Sequence, residues 1–420
     1  MTGTGPAVPA GALAEPVERV GRGWTSALSL ANGAIWVGWY GPLQILLAAQ
    51  AEDFAPGTGM SKETLLAWIT GAGAVVSLIA NPLFGALSDR TTSRRGRRTP
   101  WIVAGAAGGA LSLLLLGRAD GPWTAAAGWC LVQLTLNAAF AAVTAAVPDR
   151  VPRSQRGSVG GWLGAAQILG VVGGTALATA AGGTGGGYAA CAVFTLVGVL
   201  PYVLRYEDLR LPAADRPDWS ARAFLGSFRL SPRRHPDLAW AWLTRFLINL
   251  SNALVLLYLL YYLRDRLHHD DPEQGVLILT AVNGVTLLAT VVVGGVWSDR
   301  VGRRKPFVVW SGVLIAVATA ALAGWQTWPG AIVAAAVLGV GFGVFTSVDF
   351  ALMTDVLPTA LDRGKDLGVI NIANALPQVA APALAAPVVT YLGGYRVLYA
   401  VAAVIGLAGA VLVGRIKGVD

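Results

Sequence analysis

Twelve long apolar runs constrain the fold of this 420-residue chain more than any other feature. Each run holds about 20 mostly apolar residues, the length that an α-helix needs to cross some 30 Å of hydrocarbon. Lipid offers the backbone no hydrogen-bond partners, so each run must satisfy its own backbone as a helix. We therefore predict an all-α polytopic membrane protein with twelve transmembrane helices. The runs lie at residues 27–49, 64–87, 100–118, 122–147, 157–181, 187–205, 239–263, 275–297, 306–325, 329–352, 366–391 and 394–414.

The composition excludes several other classes of protein. Only 13% of the residues are charged, against about 25% in a soluble domain. The net charge of +8 does not indicate nucleic-acid binding, because the basic residues are divided among short loops between apolar runs. Cys130 and Cys191 both fall inside apolar runs, so neither a disulfide framework nor a zinc site is expected. His235, His268 and His269 fall in predicted loops, and we expect no metal or cofactor.

The distribution of lysine and arginine predicts the orientation of the chain. With the N-terminus in the cytosol, 25 of the 31 basic residues fall in cytosolic segments and Arg245 falls within a run. The segment before the first run has no hydrophobic signal core. We therefore expect a plasma-membrane protein with both termini cytosolic. The basic residues predicted to lie outside are Lys62, Arg118, Arg264, Arg266 and Arg396.

The composition changes once near the middle of the chain, where a polar, basic and proline-containing segment separates two sets of six runs. We interpret this segment as a cytosolic linker, with a short amphipathic helix expected around 219–229. The predicted units are a cytosolic tail at 1–26, a six-helix bundle at 27–205, the linker at 206–238, a second six-helix bundle at 239–414 and a cytosolic tail at 415–420.

Two short loop motifs occur once in each half of the chain. Gly85-Ala86-Leu87-Ser88-Asp89-Arg90 returns 210 residues later as Gly295-Val296-Trp297-Ser298-Asp299-Arg300. A basic run follows each copy, Arg94-Arg95-Gly96-Arg97-Arg98 in the first and Gly302-Arg303-Arg304-Lys305 in the second. Asp149 and Asp355 each precede a proline by three residues and an Arg-Gly pair by seven or eight. Parallel duplication of a six-helix unit is typical of one class of transporter.

The repeated loop resembles the signature loop of the major facilitator superfamily. The resemblance implies two pseudo-symmetric six-helix bundles and a charged cluster that holds them together on the cytosolic side. The aspartates fall at helix C-termini, where a carboxylate needs a nearby cation, and the glycines are expected to allow close helix contact. The residues that match the motif are Gly85, Asp89, Arg90, Gly96, Arg97, Arg98, Gly295, Asp299, Arg300, Gly302, Arg303 and Arg304.

Two details are similar to one branch of that superfamily. The residues Thr91 to Arg95 lengthen the first loop, as in the glycoside–pentoside–hexuronide cation symporters and the plant sucrose carriers. The stretch 366–378 in the eleventh run is similar to a stretch of the sucrose carriers. Unlike those symporters, this chain has no acidic residue in the first run before Glu52, which argues against sodium coupling.

Polar residues inside the runs are candidates for a substrate site, because they are costly in a membrane unless they are paired or face a wet cavity. Such sites lie near the midplane between the two halves. For any single amide, an interhelical hydrogen bond is the competing explanation, and Arg245 can also extend to the membrane surface. The candidates are Asn32, Trp36, Tyr40 and Gln44 in the first run, Gln133, Asn137 and Gln167 in the fourth and fifth, Arg245, Asn249, Asn252 and Asn283 in the seventh and eighth, and Asn371, Asn374 and Gln378 in the eleventh.

Asp349 is the carboxylate that falls clearly within a predicted span. Burial favours the neutral form of a carboxylate, so Asp349 is a candidate proton acceptor for coupling. The alternative is a salt bridge at the cytosolic rim with Arg245 or a loop arginine.

Three functions follow from these features. The first is a secondary active carrier that moves a neutral, sugar-like or glycoside solute with protons by alternating access. The second is a proton-driven exporter of a drug or secondary metabolite, and the third is a non-transporting receptor on the same fold. No catalytic constellation is evident, and the expected partners are a small-molecule substrate and membrane lipid, with the protein as a monomer.

Overall fold

The computed structural model describes residues 16–216, 220, 236–301, 305–355 and 363–417. Within these residues every regular element is a helix. We number the helices that contain the twelve predicted runs as spans 1 to 12. Their bounds are Arg22–Gly41, Pro42–Leu46 and Leu47–Phe54 (span 1); Lys62–Asp89 (span 2); Thr99–Leu116 (span 3); Pro122–Arg150 (span 4); Arg153–Ala180 (span 5); Thr184–Arg205 (span 6); Pro236–Leu257, Leu259–Tyr261 and Tyr262–Arg266 (span 7); Pro272–Val301 (span 8); Lys305–Gly324 (span 9); Trp328–Asp355 (span 10); Arg363–Tyr391 (span 11); and Gly394–Leu412 (span 12).

Two of the sequence-based expectations lie outside the described residues. They are the amphipathic helix around 219–229 and the motif residues Gly302, Arg303 and Arg304.

Ten helices in the described part of the chain are long and apolar enough to cross a membrane. Spans 1 and 11 complete the set of twelve; span 1 is divided by a turn, and span 11 contains Pro377, Pro382 and Pro387. Exposed tryptophans such as Trp123, at 83% exposure, lie near span ends, where aromatic rings prefer the membrane interface. The prediction of an all-α, multi-pass membrane protein is confirmed.

The spans pack as two bundles of six helices. Spans 1 to 6 contact one another, and spans 7 to 12 contact one another. The most extensive contacts between the bundles join span 2 to span 11 and span 5 to span 8. We call the side with the loops at 90–98 and 150–153 the basic face, and the other side the opposite face.

Spans 1 and 5 pack backbone against backbone through small residues. A Cβ atom added at Gly170 would lie 2.4 Å from the carbonyl oxygen of Gly33, and one at Gly174 would lie 2.9 Å from the nitrogen of Gly41. Only glycine permits this approach, which is a common way to join helices in membranes. Span 1 is therefore fixed closely to one wall of the space between the bundles.

The first helix of each bundle is interrupted on the side of the opposite face. Span 1 contains a π-helical turn at Pro42–Leu46, and span 7 breaks at Tyr258 before a π-helical turn at Tyr262–Arg266. The sequence predicts continuous runs at these places, and the difference has a local cause in span 1. Pro42 has no N–H to continue the α-helical ladder, and π turns occur frequently at functional sites.

Candidate functional site

A cavity lies between the two bundles, with an empty volume of about 840 Å³. Spans 1 and 5 form one wall, and spans 7, 8, 9 and 10 form the other. Aliphatic residues, glycine and one phenylalanine make up most of the lining. No charged side chain among the described residues lines the cavity. Its polar lining residues are Tyr40, Gln44, Gln167, Asn252, Thr280 and Asn283.

Five of the predicted substrate residues, Tyr40, Gln44, Gln167, Asn252 and Asn283, therefore lie together at this cavity. They come from four spans and both bundles. The cavity can accept hydrogen-bonding groups of a neutral solute through amides and hydroxyls, while the aliphatic lining covers its apolar surface.

The other candidates in the N-terminal half take part in contacts within and between helices. Asn32 donates a hydrogen bond to the carbonyl of Leu163 at 3.0 Å. Asn137 donates to Ser77 Oγ at 3.0 Å and to the carbonyl of Gln133 at 2.7 Å. Trp36 packs its ring 5.4 Å from that of Tyr40, so it supports a lining residue from behind.

Asn249 and Gln378 also lie away from the lining. Asn249 donates to the carbonyl of Arg245 at 2.9 Å, within span 7. Gln378 is exposed on span 11. Asn371 and Asn374 belong to the same span, and their side chains are outside the described part of the structure.

Gln44 connects the two bundles at the cavity wall. Its Oε1 atom accepts a hydrogen bond of 2.8 Å from the hydroxyl of Thr280 on span 8. The hydroxyl of Thr175 on span 5 lies 3.3 Å from the same oxygen. Thr280 and Thr175 were not among the candidates, because a single threonine in an apolar run carries no signal that separates it from an ordinary helix residue.

Asp349 and Arg245 form a buried ion pair between spans 10 and 7. Arg245 Nη1 lies 2.6 Å from Asp349 Oδ2, and the side chains are 12% and 5% exposed. Asn252 and Phe342, which line the cavity, are each seven residues away along their helices. Seven residues correspond to a rise of about 10 Å, so the pair lies between the cavity and the basic face.

A second buried charge cluster joins the loops of the basic face. Arg97 and Arg98 are 5% and 3% exposed, and both contact Asp149 at the end of span 4. Arg98 Nε lies 2.8 Å from Asp149 Oδ2, and the same guanidinium contacts Asp89 and Ser88 Oγ. Burial acts to lower the pKa of the Arg98 guanidinium, but hydrogen bonds and attraction from Asp149 and Asp89 outweigh it and raise that pKa above its ordinary value. Arg98 therefore stays charged and holds three loop ends together.

The segment after span 6 completes this cluster. The carboxylate of Asp208 accepts hydrogen bonds from the backbone N–H groups of Arg98 and Thr99, where span 3 begins. Gly96 has φ +92°, and a Cβ atom there would lie 2.4 Å from the Asp208 side chain. Glycine is therefore required at this position of the motif, both for backbone conformation and for space.

The motif residue Gly85 is placed differently from what the sequence suggests. A Cβ atom added at Gly85 would meet nothing within 4 Å, so the expected close helix contact is absent there. Gly295, Asp299 and Arg300 lie on span 8, and their side chains are outside the described part of the structure. Asp149 is the main partner of the motif arginines. In the sequence it appears only as part of the other repeated loop motif, the one that contains Asp149 and Asp355.

The opposite face holds a charged network that joins the two bundles. Lys62 Nζ, at the start of span 2, lies 2.8 Å from Asp265 Oδ1 and 3.3 Å from Glu52 Oε1. Arg264 also contacts Glu52. Asp265 and Arg264 belong to span 7, so these ion pairs connect the second bundle to the first.

Tyrosine hydroxyls extend the same connection. Tyr395 Oη lies 2.8 Å from Asp265 Oδ2 and 3.1 Å from Glu63 Oε1. Tyr258 donates to the carbonyl of Glu63, and Tyr261 donates to the carbonyl of Ala48, both at 2.7 Å. The space between the bundles is thus closed at the opposite face.

Comparison with known proteins decides the family. A sequence model of the Major Facilitator Superfamily matches residues 28–281 and 241–418. The chain belongs to the major facilitator superfamily. The family match agrees with the sequence-based prediction of a transporter rather than an enzyme.

Relatives and solved structures agree with this assignment. The chain is 32% identical over 136 residues to myo-inositol transporter 3C of Cryptococcus neoformans var. grubii, which covers 32% of this chain and 22% of that protein. It is 32% identical over 128 residues to myo-inositol transporter 3 of the same organism, with 30% and 21% covered. The matched part is about a fifth of the length of these relatives.

Two solved structures share the fold over nearly the whole chain. The human organic anion transporter MFSD10 (TETRAN) has a TM-score of 0.69 and 17% identity, and the alignment covers 93% of this chain and 99% of that one. A point mutant of the nucleoside transporter NupG has a TM-score of 0.72 and 12% identity, with 94% and 98% covered.

Proposed function

We propose that this protein is a proton-coupled secondary transporter of a small, neutral, sugar-like or glycoside solute. The observation that carries this proposal is the uncharged cavity between the bundles, where Tyr40, Gln44, Gln167, Asn252 and Asn283 offer hydroxyl and amide groups. A charged solute would find no opposite charge among the described lining residues. A neutral solute with several hydroxyl groups satisfies these groups and leaves no charge buried.

The partial relatives support the same class of solute. The relatives described above carry names that describe myo-inositol transport, and myo-inositol is a neutral polyol. The match covers about a fifth of each relative, so it supports only the chemical class of the solute, a neutral polyol. The transport assay below is needed to identify the individual solute.

The arrangement of contacts supports alternating access. In the predicted orientation the opposite face is the outer side of the membrane, and there Lys62, Asp265 and Glu52 connect the bundles. The solute would leave the cavity toward the cytosol in this conformation. Separation of these ion pairs would open the cavity to the outside.

Asp349 is the proposed proton acceptor. Protonation would remove the charge of Asp349 and break its ion pair with Arg245. The pair joins spans 7 and 10 between the cavity and the basic face. Protonation of Asp349 would therefore change contacts inside the second bundle. A matched loss of both charges would remove the coupling without leaving an unpaired charge.

The aliphatic lining favours a second candidate, a proton-driven exporter of a drug or secondary metabolite. The apolar residues of the wall include Val171, Leu279, Leu322 and Phe342. An apolar solute with one or two polar groups fits this lining as well as a glycoside does.

Uptake into proteoliposomes with an imposed pH gradient tests the proposal. We expect accumulation of myo-inositol or a phenyl glucoside against its gradient, and collapse of accumulation when a protonophore is added. For Asp349→Asn together with Arg245→Gln, we expect solute counterflow to continue while proton-driven accumulation stops.

The controls separate the two candidates. Net uptake of a glucoside without any accompanying proton movement in the wild type would refute proton coupling. Transport of apolar drugs, with no movement of myo-inositol or glucosides, would favour the exporter.

A further inference from the structure

Gln44 occupies an unusual position on the wall of the cavity. It lies in the π-helical turn Pro42–Leu46 that interrupts span 1, and it is only 5% exposed. A π turn changes the direction in which its residues project. The turn therefore places an amide where a continuous α-helix would have presented a different residue.

The orientation of this amide is set by its partners. The hydroxyl of Thr280 donates a hydrogen bond of 2.8 Å to Gln44 Oε1. Thr286 and Thr290, on the same span, instead donate to carbonyl groups one turn earlier in their own helix. With Thr175 also near the Oε1 atom, the carbonyl end of the amide is occupied from both bundles.

The other end of the amide is unpaired. Gln44 Nε2 is buried and has no hydrogen-bond partner. A side-chain amide nitrogen carries two N–H donors, and buried donors are nearly always satisfied in native proteins. Since Gln44 lines the cavity, an acceptor atom on a bound solute would satisfy this donor.

We propose that Gln44 is a specificity-determining residue that donates a hydrogen bond from Nε2 to an acceptor oxygen of the transported solute, while Thr280 positions it. The solute would be a neutral molecule that carries a hydroxyl, ether or carbonyl oxygen beside an apolar surface that packs on Val171 and Leu279. The assignment rests on the proposed function in one respect, that this cavity binds the solute.

The position of Gln44 also links recognition to the contact between the bundles. The same amide that faces the solute receives Thr280 from the second bundle and lies beside Thr175 of the first. Separation of spans 1 and 8 would break the hydrogen bond from Thr280 to the Gln44 carbonyl oxygen. The amide could then rotate, and Nε2 would no longer be held in one orientation. The donor would therefore be fixed in the conformation that is closed at the opposite face.

Two pairs of probes test the donor role, in nanodiscs, by the concentration dependence of thermal stabilisation. The first pair is diphenylmethane and benzophenone, which differ by one carbonyl oxygen. The second is a pair of phenyl β-D-glucoside derivatives in which the same hydroxyl is replaced by hydrogen or by fluorine. Fluorine keeps a hydrogen-bond acceptor at that position and hydrogen does not. Each hydroxyl of the sugar ring is tested in turn.

We expect the wild type to bind the acceptor-bearing member of a pair about three- to tenfold more tightly, the effect of one neutral hydrogen bond. Gln44→Met should abolish this preference and retain the affinity for the acceptor-free member. Thr280→Val should reduce the preference and Thr280→Ser should restore it, which a purely structural loss would not do. Thr319→Val is the matched control, because the Thr319 hydroxyl donates only within its own helix.

Each outcome decides the assignment. An equal preference in the wild type and in Gln44→Met would overturn it, as would a wild type that binds neither pair or shows no preference within them. Thermal stabilisation by benzophenone without any stabilisation by the glucosides would support the role of Gln44. It would contradict the proposal of a sugar-like solute and favour the exporter.

Discussion

Asp149 and Asp89 are the two carboxylates that contact the buried guanidinium of Arg98, and they differ in their surroundings. The side chain of Asp149 is 8% exposed and also contacts Arg97, whereas that of Asp89 is 54% exposed. An ion pair that is largely solvated contributes little to stability. Removal of a carboxylate that is shared by two buried guanidinium groups leaves uncompensated charge.

We therefore predict unequal effects of two substitutions of the same kind. Asp149→Ala should lower the free energy of unfolding by about 3–5 kcal/mol, and Asp89→Ala by about 0–1 kcal/mol. Denaturant or thermal unfolding of the purified protein in detergent measures both. Equal losses would contradict the assignment of Asp149 as the main partner of the motif arginines.

Among single residues, sequence alone could identify the type of side chain but not the direction in which it points. Asn32 and Gln44 belong to the same span and are both costly in lipid. Asn32 is satisfied by the carbonyl of Leu163, and Gln44 has a free N–H group at the cavity. This difference depends on which helix lies beside each face of span 1.

At the level of the helix, span 5 has two glycine-rich parts with different surroundings. Gly170 and Gly174 lie against the backbone of span 1, whereas a Cβ atom at Gly160 or Gly164 would meet nothing within 4 Å. The sequence shows all of these glycines alike. Only the packing separates the part that joins the helices from the part that does not.

A matched pair of substitutions tests this division. Gly170→Ala should lower the free energy of unfolding by about 1–3 kcal/mol, because the added methyl group meets the carbonyl of Gly33. Gly164→Ala should be neutral or stabilising by up to about 1 kcal/mol, through helix propensity alone. Thermal unfolding of the two variants under one set of conditions gives the comparison, and a larger loss at Gly164 would show that the spans pack differently.

The interruptions of spans 1 and 7 could not be predicted from hydropathy, because both runs remain apolar through the break. Pro42 provides the only local signal in span 1, and proline also occurs within intact membrane helices. In span 7 the break at Tyr258 accompanies a hydroxyl bond to span 2, a contact that forms only when the two bundles meet.

For the whole molecule, the twelve spans and their duplication were predictable, because each span is specified by its own composition and each repeat by a short local motif. The closure at the opposite face was not predictable from the sequence. Glu52, Lys62 and Asp265 appear in the sequence as ordinary charges of three separate loops or helix ends. Their ion pairs arise from the packing of one bundle on the other.

A reversible cross-link tests whether this closure belongs to a transport cycle. Ser61 Oγ and Thr390 Oγ1 lie 3.3 Å apart across the two bundles. In a variant with Cys130 and Cys191 replaced by alanine, Ser61→Cys with Thr390→Cys should form a disulfide under mild oxidation. We expect oxidation to abolish transport and a reductant to restore it.

Each single substitution is the control, and peptide mass spectrometry establishes whether the disulfide has formed. Full transport by the cross-linked protein would show that spans 2 and 11 do not separate at the opposite face during the cycle.

The pairing of Arg98 with Asp149 also bears on how the protein enters the membrane. These residues are 51 positions apart in the chain, so a ribosome that synthesises the protein releases Arg98 well before Asp149. During insertion of the second and third helices, Asp149 is therefore not yet available to neutralise the arginines of this loop, which can hold the loop in the cytosol. Once the fourth helix is complete, Asp149 neutralises charge that has already served to orient the chain. One set of guanidinium groups thus acts first in biogenesis and afterwards in the folded protein.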